Sequence, residues 1–361
     1  MKSTQKLHDA GQSLWLDNIT RNLITGGGLQ QYINDYSVTG LTSNPTIFDH
    51  AITNSSDYDM SIRQKSGAGK SGEELFLELA LEDCTAAADL FRPIHDKTNG
   101  VDGWASIEVS PKLAYDTSST VAAARELYRQ GGRPNLFIKI PGTPEGIPAI
   151  EQSIFAGIPI NVTLLFSREQ YLAAADAYIR AIERRVAAGL NPHVPSVASL
   201  FVSRWDVSVN KKVPEALHNR IGIAIARRTY RAYLELLNSD RWLRLLNFGA
   251  RPQRLLWAST GTKDPKASDV LYIGSLAAPH TINTMPENTL AAFSDHGKVG
   301  RMLPHKGGNA EQELAEFVRA GIDLDATAGE LQREGAAAFV KSWNELLSSI
   351  EEKAAQLKRA S

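Results

Sequence analysis

One cysteine, Cys84, is all that this chain of 361 residues contains. No disulfide can form within the chain, so the bridged scaffold of a small secreted domain is excluded. No Cys/His spacing resembles a zinc site either. Charge of one sign is equally absent: 39 Lys and Arg against 40 Asp and Glu leave a formal net charge of −1, and no global field recruits nucleic acid or an anionic membrane. An anionic ligand must therefore be held by a few local cations. No segment approaches the unbroken apolar run of roughly 20 residues that spans a bilayer, and the N-terminal MKSTQKLHDAGQSLW lacks the apolar stretch of a signal peptide. A reducing, cytoplasmic setting is the expectation. Pro, Gly and Ser show no excess that would signal disorder, and 43% hydrophobic with 22% charged residues is ordinary for a folded globular chain.

What is present is a rhythm. The length suits one large barrel or two ordinary domains, and short apolar or β-branched runs recur along it, most of them separated by stretches of helical periodicity. Eight strands are expected: SLWLD (13–17), VTGLTSNP (38–45), WASIEVS (104–110), NLFIKIPG (135–142), PINVTLLFS (159–167), PSVASLFVSR (195–204), RLLWAST (254–260) and VLYIGSL (270–276). Helices are expected over GEELFLELALEDCTAAADLFRPI, TSSTVAAARELYRQ, SREQYLAAADAYIRAIERRVAAG and EALHNRIGIAIARRTYRAYLELLNS. LFIKI and INVTLLF are apolar on both faces, as a covered parallel sheet requires. Eight βα units favour a closed (β/α)8 barrel. The alternative is an open doubly wound sheet, whose nucleotide-binding form loses support because no GxGxxG follows the first strand. Residues 310–361 read as two extra helices, AEQELAEFVRAG and GAAAFVKSWNELLSSIEEKAAQLKRA, too short for a core of their own and so packed on a single barrel domain spanning 1–361. Glycines 26–28 read as a flexible turn, since GGG without a following Lys-Ser/Thr is a poor phosphate cradle.

Polar side chains interrupt these apolar strands near their C-terminal ends, where barrel enzymes assemble their sites. They are Asp17, Asn44, Glu108, Lys139, Asn161, Thr163, Ser199, Arg204 and Ser259. Asn161 and Thr163 share a face, because successive strand residues point to opposite sides. Each has a bland reading: Asp17 as a helix cap, Asn44 before Pro45 as a turn, Ser and Thr as ordinary strand residues. Lys139 is harder to dismiss. An amine between Ile138 and Ile140 in a doubly covered strand must pair, snorkel or lose its proton, and a structural pair with Glu108 is the best non-catalytic account. The catalytic account uses the same burial, because a desolvated neutral amine can attack a carbonyl and form an imine. A protonated imine is an electron sink, so an adjacent C–C bond can break without metal or organic cofactor. Such chemistry needs one carboxylate for a hydroxyl proton, another to manage water, and donors for the substrate's hydroxyls.

At these residues the chain resembles the transaldolases, in a match running over roughly residues 13 to 300. The strongest pieces are Thr-Ser-Asn-Pro-Thr at 42–46, Ser-Ile-Glu-Val-Ser at 106–110, Ile-Lys-Ile-Pro-Gly-Thr at 138–143 and Ile-Asn-Val-Thr-Leu-Leu-Phe-Ser at 160–167, continued by Ser199 to Arg204 and Trp257 to Thr260. The resemblance implies an α/β fold, a (β/α)8 TIM barrel of the class I aldolase type. It implies Lys139 as the Schiff-base lysine, Asp17 as the proton shuttle for C–C cleavage, and Glu108, with a water held by Thr163, as acid and base in imine formation and hydrolysis. Asn44, Asn161 and Ser199 would hold the dihydroxyacetone unit, and Arg204 and Ser259 the phosphate. The substrates implied are sugar phosphates of the pentose phosphate pathway: sedoheptulose 7-phosphate or fructose 6-phosphate as donor, glyceraldehyde 3-phosphate or erythrose 4-phosphate as acceptor. No metal or organic cofactor is expected.

One position departs from that pattern. Many transaldolases carry a second phosphate-binding arginine two residues after the serine matched by Ser259, where this chain has Gly261. Lys263 is the expected substitute, as a point charge rather than a bidentate fork. The Trp-Ala-Ser-Thr-Gly-Thr-Lys and Thr-Met-Pro-Glu-Asn-Thr segments look like the long-chain actinobacterial and cyanobacterial branch. Two rivals stand beside this reading: a fructose-6-phosphate aldolase, which shares the barrel and the lysine but is much shorter, and a non-catalytic sugar-phosphate-binding barrel.

Overall fold

The computed structural model describes residues 1–359. Eight parallel strands close into a barrel in sequence order: β1 (Ser13–Leu16), β2 (Val38–Thr42), β3 (Trp104–Glu108), β4 (Leu136–Pro141), β5 (Ile160–Leu165), β6 (Ser196–Phe201), β7 (Gln253–Ala258) and β8 (Ile282–Met285), with β8 pairing back onto β1. Helices cover the outside, so nearly every strand residue is buried on whichever face it points to. The expected (β/α)8 class is the observed one.

Seven strands overlap their expected positions and the eighth does not. The run at 270–276 holds a short helix, Leu271–Ser275, whose Tyr272 and Ile273 are buried. The strand itself is the four-residue Ile-Asn-Thr-Met further on. A short apolar run looks the same whether it becomes a buried helix or a buried strand, while Asn283 and Thr284 make the true strand read as a loop. The helix expected from Glu215 begins only at Ile221, because Asn219 adopts φ 59° and interrupts it. Glycines 26–28 do form a turn, with Gly27 at φ 82° ahead of the helix Gly28–Tyr36.

The N-terminal half of the barrel interior is filled by aromatic rings. Trp104 stacks on Phe137 with centroids 4.1 Å apart, and Trp15 lies 6.1 Å from Phe137. Gly40 on β2 makes room for this layer, since a Cβ there would sit 2.6 Å from the Trp15 ring. Above the rings the interior turns polar.

Of the C-terminal helices, Ala310–Arg319 matches expectation, whereas the second starts eleven residues earlier than its apolar pattern suggested and runs as Leu324–Arg359. Residues 360 and 361 of the expected extension lie outside the described residues. This long helix crosses the C-terminal mouth. Gln332 donates to the carbonyls of Gly142 and Leu164, both at 2.9 Å. Further along, Trp343 donates to Glu73 at 3.1 Å and packs edge-on against Phe76. No helix among the described residues is long and apolar enough to cross a membrane.

Candidate active site

Strand register sets Glu108 beside Lys139 and Lys139 beside Asn161. Lys139 Nζ donates to the Ser43 carbonyl at 2.9 Å and to Glu108 Oε2 at 3.2 Å, and both side chains are buried. The pair foreseen as a structural alternative therefore exists. It does not seal Lys139 off, because the lysine also lines a cavity of about 130 Å³ at the C-terminal mouth. Burial pushes the Glu108 carboxyl above the usual carboxylate range; Lys139 pulls the other way and Asp17 adds to the rise. A buried amine thus faces a carboxyl group with raised proton affinity.

Around this pair the side chains are fixed by short contacts. Thr42 donates to Asp17 Oδ1 at 2.9 Å and meets the Thr284 hydroxyl at 2.8 Å, which ties β1, β2 and β8 together. Ser199 donates to Asn161 Oδ1 at 2.7 Å, and Asn161 Nδ2 reaches Ser106 Oγ at 3.3 Å. Two buried oxygens here, Glu108 Oε1 and Thr163 Oγ1, have no hydrogen-bond partner among the described residues, a costly state for groups removed from solvent. Where its bland reading had Asn44 start a turn, the residue instead caps the helix Pro45–Asn54, its side chain accepting from Ile47 N–H at 3.1 Å. Its amide nitrogen is not used by the cap.

Beyond Thr163, β5 is bulged. Leu164 sits at φ 58°, a strained region for a residue with a branched side chain, and the pairing with β6 shifts between Val162 and Leu165. Gln332 holds the Leu164 carbonyl in that geometry.

The outer rim carries the cations. Arg204 is half-buried, with its guanidinium 5.4 Å from the Phe201 ring and 5.8 Å from that of Phe339. It makes no ion pair among the described residues, and burial lowers its pKa against the pull of Glu334. Ser259, also left-handed at φ 55°, places its hydroxyl 2.9 Å from that of Ser203. Lys263 is exposed and lines the same cavity, as does Gly261, where a Cβ would meet Pro286 at 3.2 Å.

Eight of the ten expected residues line this one cavity: Lys139, Asp17, Thr163, Asn44, Ser199, Arg204, Ser259 and Lys263. Glu108 and Asn161 lie beside them, joined through Lys139 and Ser199. Sequence reasoning missed Thr42, Ser106, Phe201, Thr284 and Phe339. Ser106 and Phe201 could have been found from period-two spacing to Glu108 and Ser199; Thr284 was hidden by the misplaced eighth strand. Among the described residues no group of three or more His, Cys, Asp or Glu could hold a metal ion.

Residues 14–350 match the family described as transaldolase/fructose-6-phosphate aldolase. The chain is 45% identical to a transaldolase of Saccharopolyspora erythraea, with 98% of each chain covered. It is 44% identical to a transaldolase of Thermobifida fusca over 96% of each, and 42% identical to one of Thiobacillus denitrificans over 97% of this chain and all of that one.

Proposed function

The chain belongs to the transaldolase/fructose-6-phosphate aldolase family, and on that premise we propose how its barrel mouth carries out the reaction. The activity is that of a transaldolase: a dihydroxyacetone unit passes from sedoheptulose 7-phosphate or fructose 6-phosphate to glyceraldehyde 3-phosphate or erythrose 4-phosphate through a lysine Schiff base. The carrying observation is Lys139, buried against Glu108 yet open to a cavity with Arg204 on its rim.

A proton passed from Lys139 to Glu108, whose proton affinity burial has raised, leaves a neutral amine. The amine adds to the ketose C2 carbonyl, and loss of water gives the protonated imine. Glu108 Oε1 and Thr163 Oγ1, each without a protein partner, would hold and activate the water that leaves and later returns. Asp17, oriented by Thr42, takes the C4 hydroxyl proton. The C3–C4 bond breaks, its electron pair entering the imine as an enamine, and an aldose phosphate departs. The enamine then attacks the acceptor aldehyde, and Asp17 returns the proton to the new alkoxide. Asn44, Asn161 and Ser199 hold the three-carbon unit, while Arg204, Ser259 and Lys263 receive the phosphate. We also place the protein in the cytoplasm, in line with its single buried free thiol, Cys84.

The test is covalent trapping. Borohydride with fructose 6-phosphate adds a reduced dihydroxyacetone mass to the peptide containing Lys139 in the parent enzyme. Lys139→Arg takes up none and loses essentially all turnover. Asp17→Ala forms the imine but stalls before cleavage, so it retains the intact six-carbon adduct. An adduct on another lysine, or normal turnover in Lys139→Arg, refutes the assignment.

A further inference from the structure

The helix Leu324–Arg359 lays one stripe of side chains over the C-terminal mouth. Ala336, Trp343, Leu346 and Ile350 are buried on it, in the three-to-four spacing of a single helix face. Phe339 falls in phase with them, between Ala336 and Trp343, yet it is only partly buried. The backbone around it is held on both sides, by Gln332 on the carbonyls of Gly142 and Leu164 and by Trp343 on Glu73. Its exposure therefore has a local cause: Phe339 lines the same cavity as Lys139.

What the ring meets there is Arg204. The guanidinium lies 5.8 Å from the Phe339 centroid and 5.4 Å from that of Phe201, both within the distance at which a cation is drawn to a ring face. Gly335, one turn earlier on the same helix, leaves the gap beside it, since a Cβ there would lie 3.2 Å from Arg204 Nη1. Arg204 has no side-chain hydrogen bond or ion pair among the described residues, so its N–H donors stay available to a ligand. An arginine without partners samples many rotamers, and ordering it on a bound anion weakens that binding. Two ring faces restrict it beforehand. The restriction matters more here because position 261, where many transaldolases carry a second arginine, is Gly, and a Cβ at that position already meets Pro286 at 3.2 Å.

We propose that Phe339 is a positioning residue for phosphate recognition. With Phe201 it holds the Arg204 guanidinium at the cavity before the substrate arrives, so that a single arginine can serve as the phosphate fork. The proposal rests on the phosphate role given to Arg204 above, and adds to it a residue from outside the barrel strands and their loops. Such a contact is made in the ground state and the transition state alike, so its loss acts on KM rather than on kcat.

The test uses the full-length enzyme with fructose 6-phosphate as donor, and compares kcat/KM for erythrose 4-phosphate and for erythrose as acceptors. The ratio of the two measures what contacts to the phosphate add. Phe339→Ala lowers this ratio about fivefold, the scale of one cation–ring contact, by raising KM for erythrose 4-phosphate while kcat/KM for erythrose stays at the parent value. Phe339→Leu, which fills the space without a π face, follows the alanine variant, and Phe339→Tyr keeps the parent ratio. In an Arg204→Ala background Phe339→Ala has no further effect, because the ring then has no guanidinium to hold. Equal losses for both acceptors, full rescue by leucine, or an additive loss in the double variant overturns the proposal. A ratio that falls in Arg204→Ala but not in Phe339→Ala overturns it and leaves Arg204 on the phosphate; a ratio unmoved in Arg204→Ala removes both.

Discussion

Asp206 is a buried carboxyl group with no ion-pair partner among the described residues. Its Oδ2 accepts from the Tyr272 hydroxyl at 2.8 Å and its Oδ1 from the Gly222 N–H at a longer 3.4 Å. Desolvation outweighs both, and its pKa is pushed up to about 6. The native state therefore holds this proton more tightly than the unfolded chain does. The associated stability is fully present below the ordinary aspartate range and is lost as pH rises through about 6. Above that pH the buried charge is a net cost. Asp206→Asn removes the charge, keeps an oxygen to accept from the Gly222 N–H, and turns its amide nitrogen to donate to the Tyr272 hydroxyl oxygen. We expect the variant to be more stable than the parent at pH 8 by on the order of 2 kcal/mol, with the gap closing toward pH 5. Thermal unfolding at both pH values checks this; a gap of the same size at each would show that the carboxyl does not titrate as its burial requires. Lys139 differs in kind, being a buried charge with a partner and an open cavity. It was legible in the sequence because an amine amid isoleucines breaks a rule that the rest of β4 obeys.

At the scale of elements, the strands were legible where both faces are covered, as in LFIKI and INVTLLF. They were not at β8, where Asn283 and Thr284 point the pattern toward a loop. The role of Leu324–Arg359 was hidden for a different reason: Gln332 and Gly142 are 190 residues apart in sequence, and no local periodicity encodes such a contact. Yet this helix shapes the site. Gln332 holds the ends of β4 and β5 together, a Cβ on Gly335 would lie 3.2 Å from the Arg204 guanidinium, and Phe339 flanks that guanidinium. Gln332→Leu leaves two buried carbonyls unpaired, at about 1–3 kcal/mol each, and releases the strained Leu164. The expected result is a lower melting temperature together with a several-fold rise in KM for fructose 6-phosphate, because Thr163 and Arg204 lose their support. A lower melting temperature with KM unmoved would reduce Gln332 to a structural contact.

For the whole molecule, we propose that residues 1–361 form a single domain in which the C-terminal helices are integral rather than appended. The closed barrel has no free strand edge to be capped, so the long helix is not there to protect one. It covers the mouth, and it also binds the connection between β2 and β3. Lys353 pairs with Asp59 at 2.9 Å and donates to the carbonyls of Ile52 and Ser55. Trp343 is buried between Phe76 and Glu73, while Leu346 and Ile350 are fully buried on the same helix. Removing the helix would expose that apolar surface together with Phe48 and Phe76, and would strip the Leu164 carbonyl of its donor. Scanning calorimetry of the full chain should then show one unfolding peak, with an enthalpy near 60 °C of roughly 250 kcal/mol if all 361 residues unfold together. A chain cut before residue 324 should lose that peak and bind hydrophobic dye in the manner of a partly folded state. Two separate peaks in the full chain, or a truncated chain that melts at the parent temperature, would make the helix an accessory and the barrel the true folding unit.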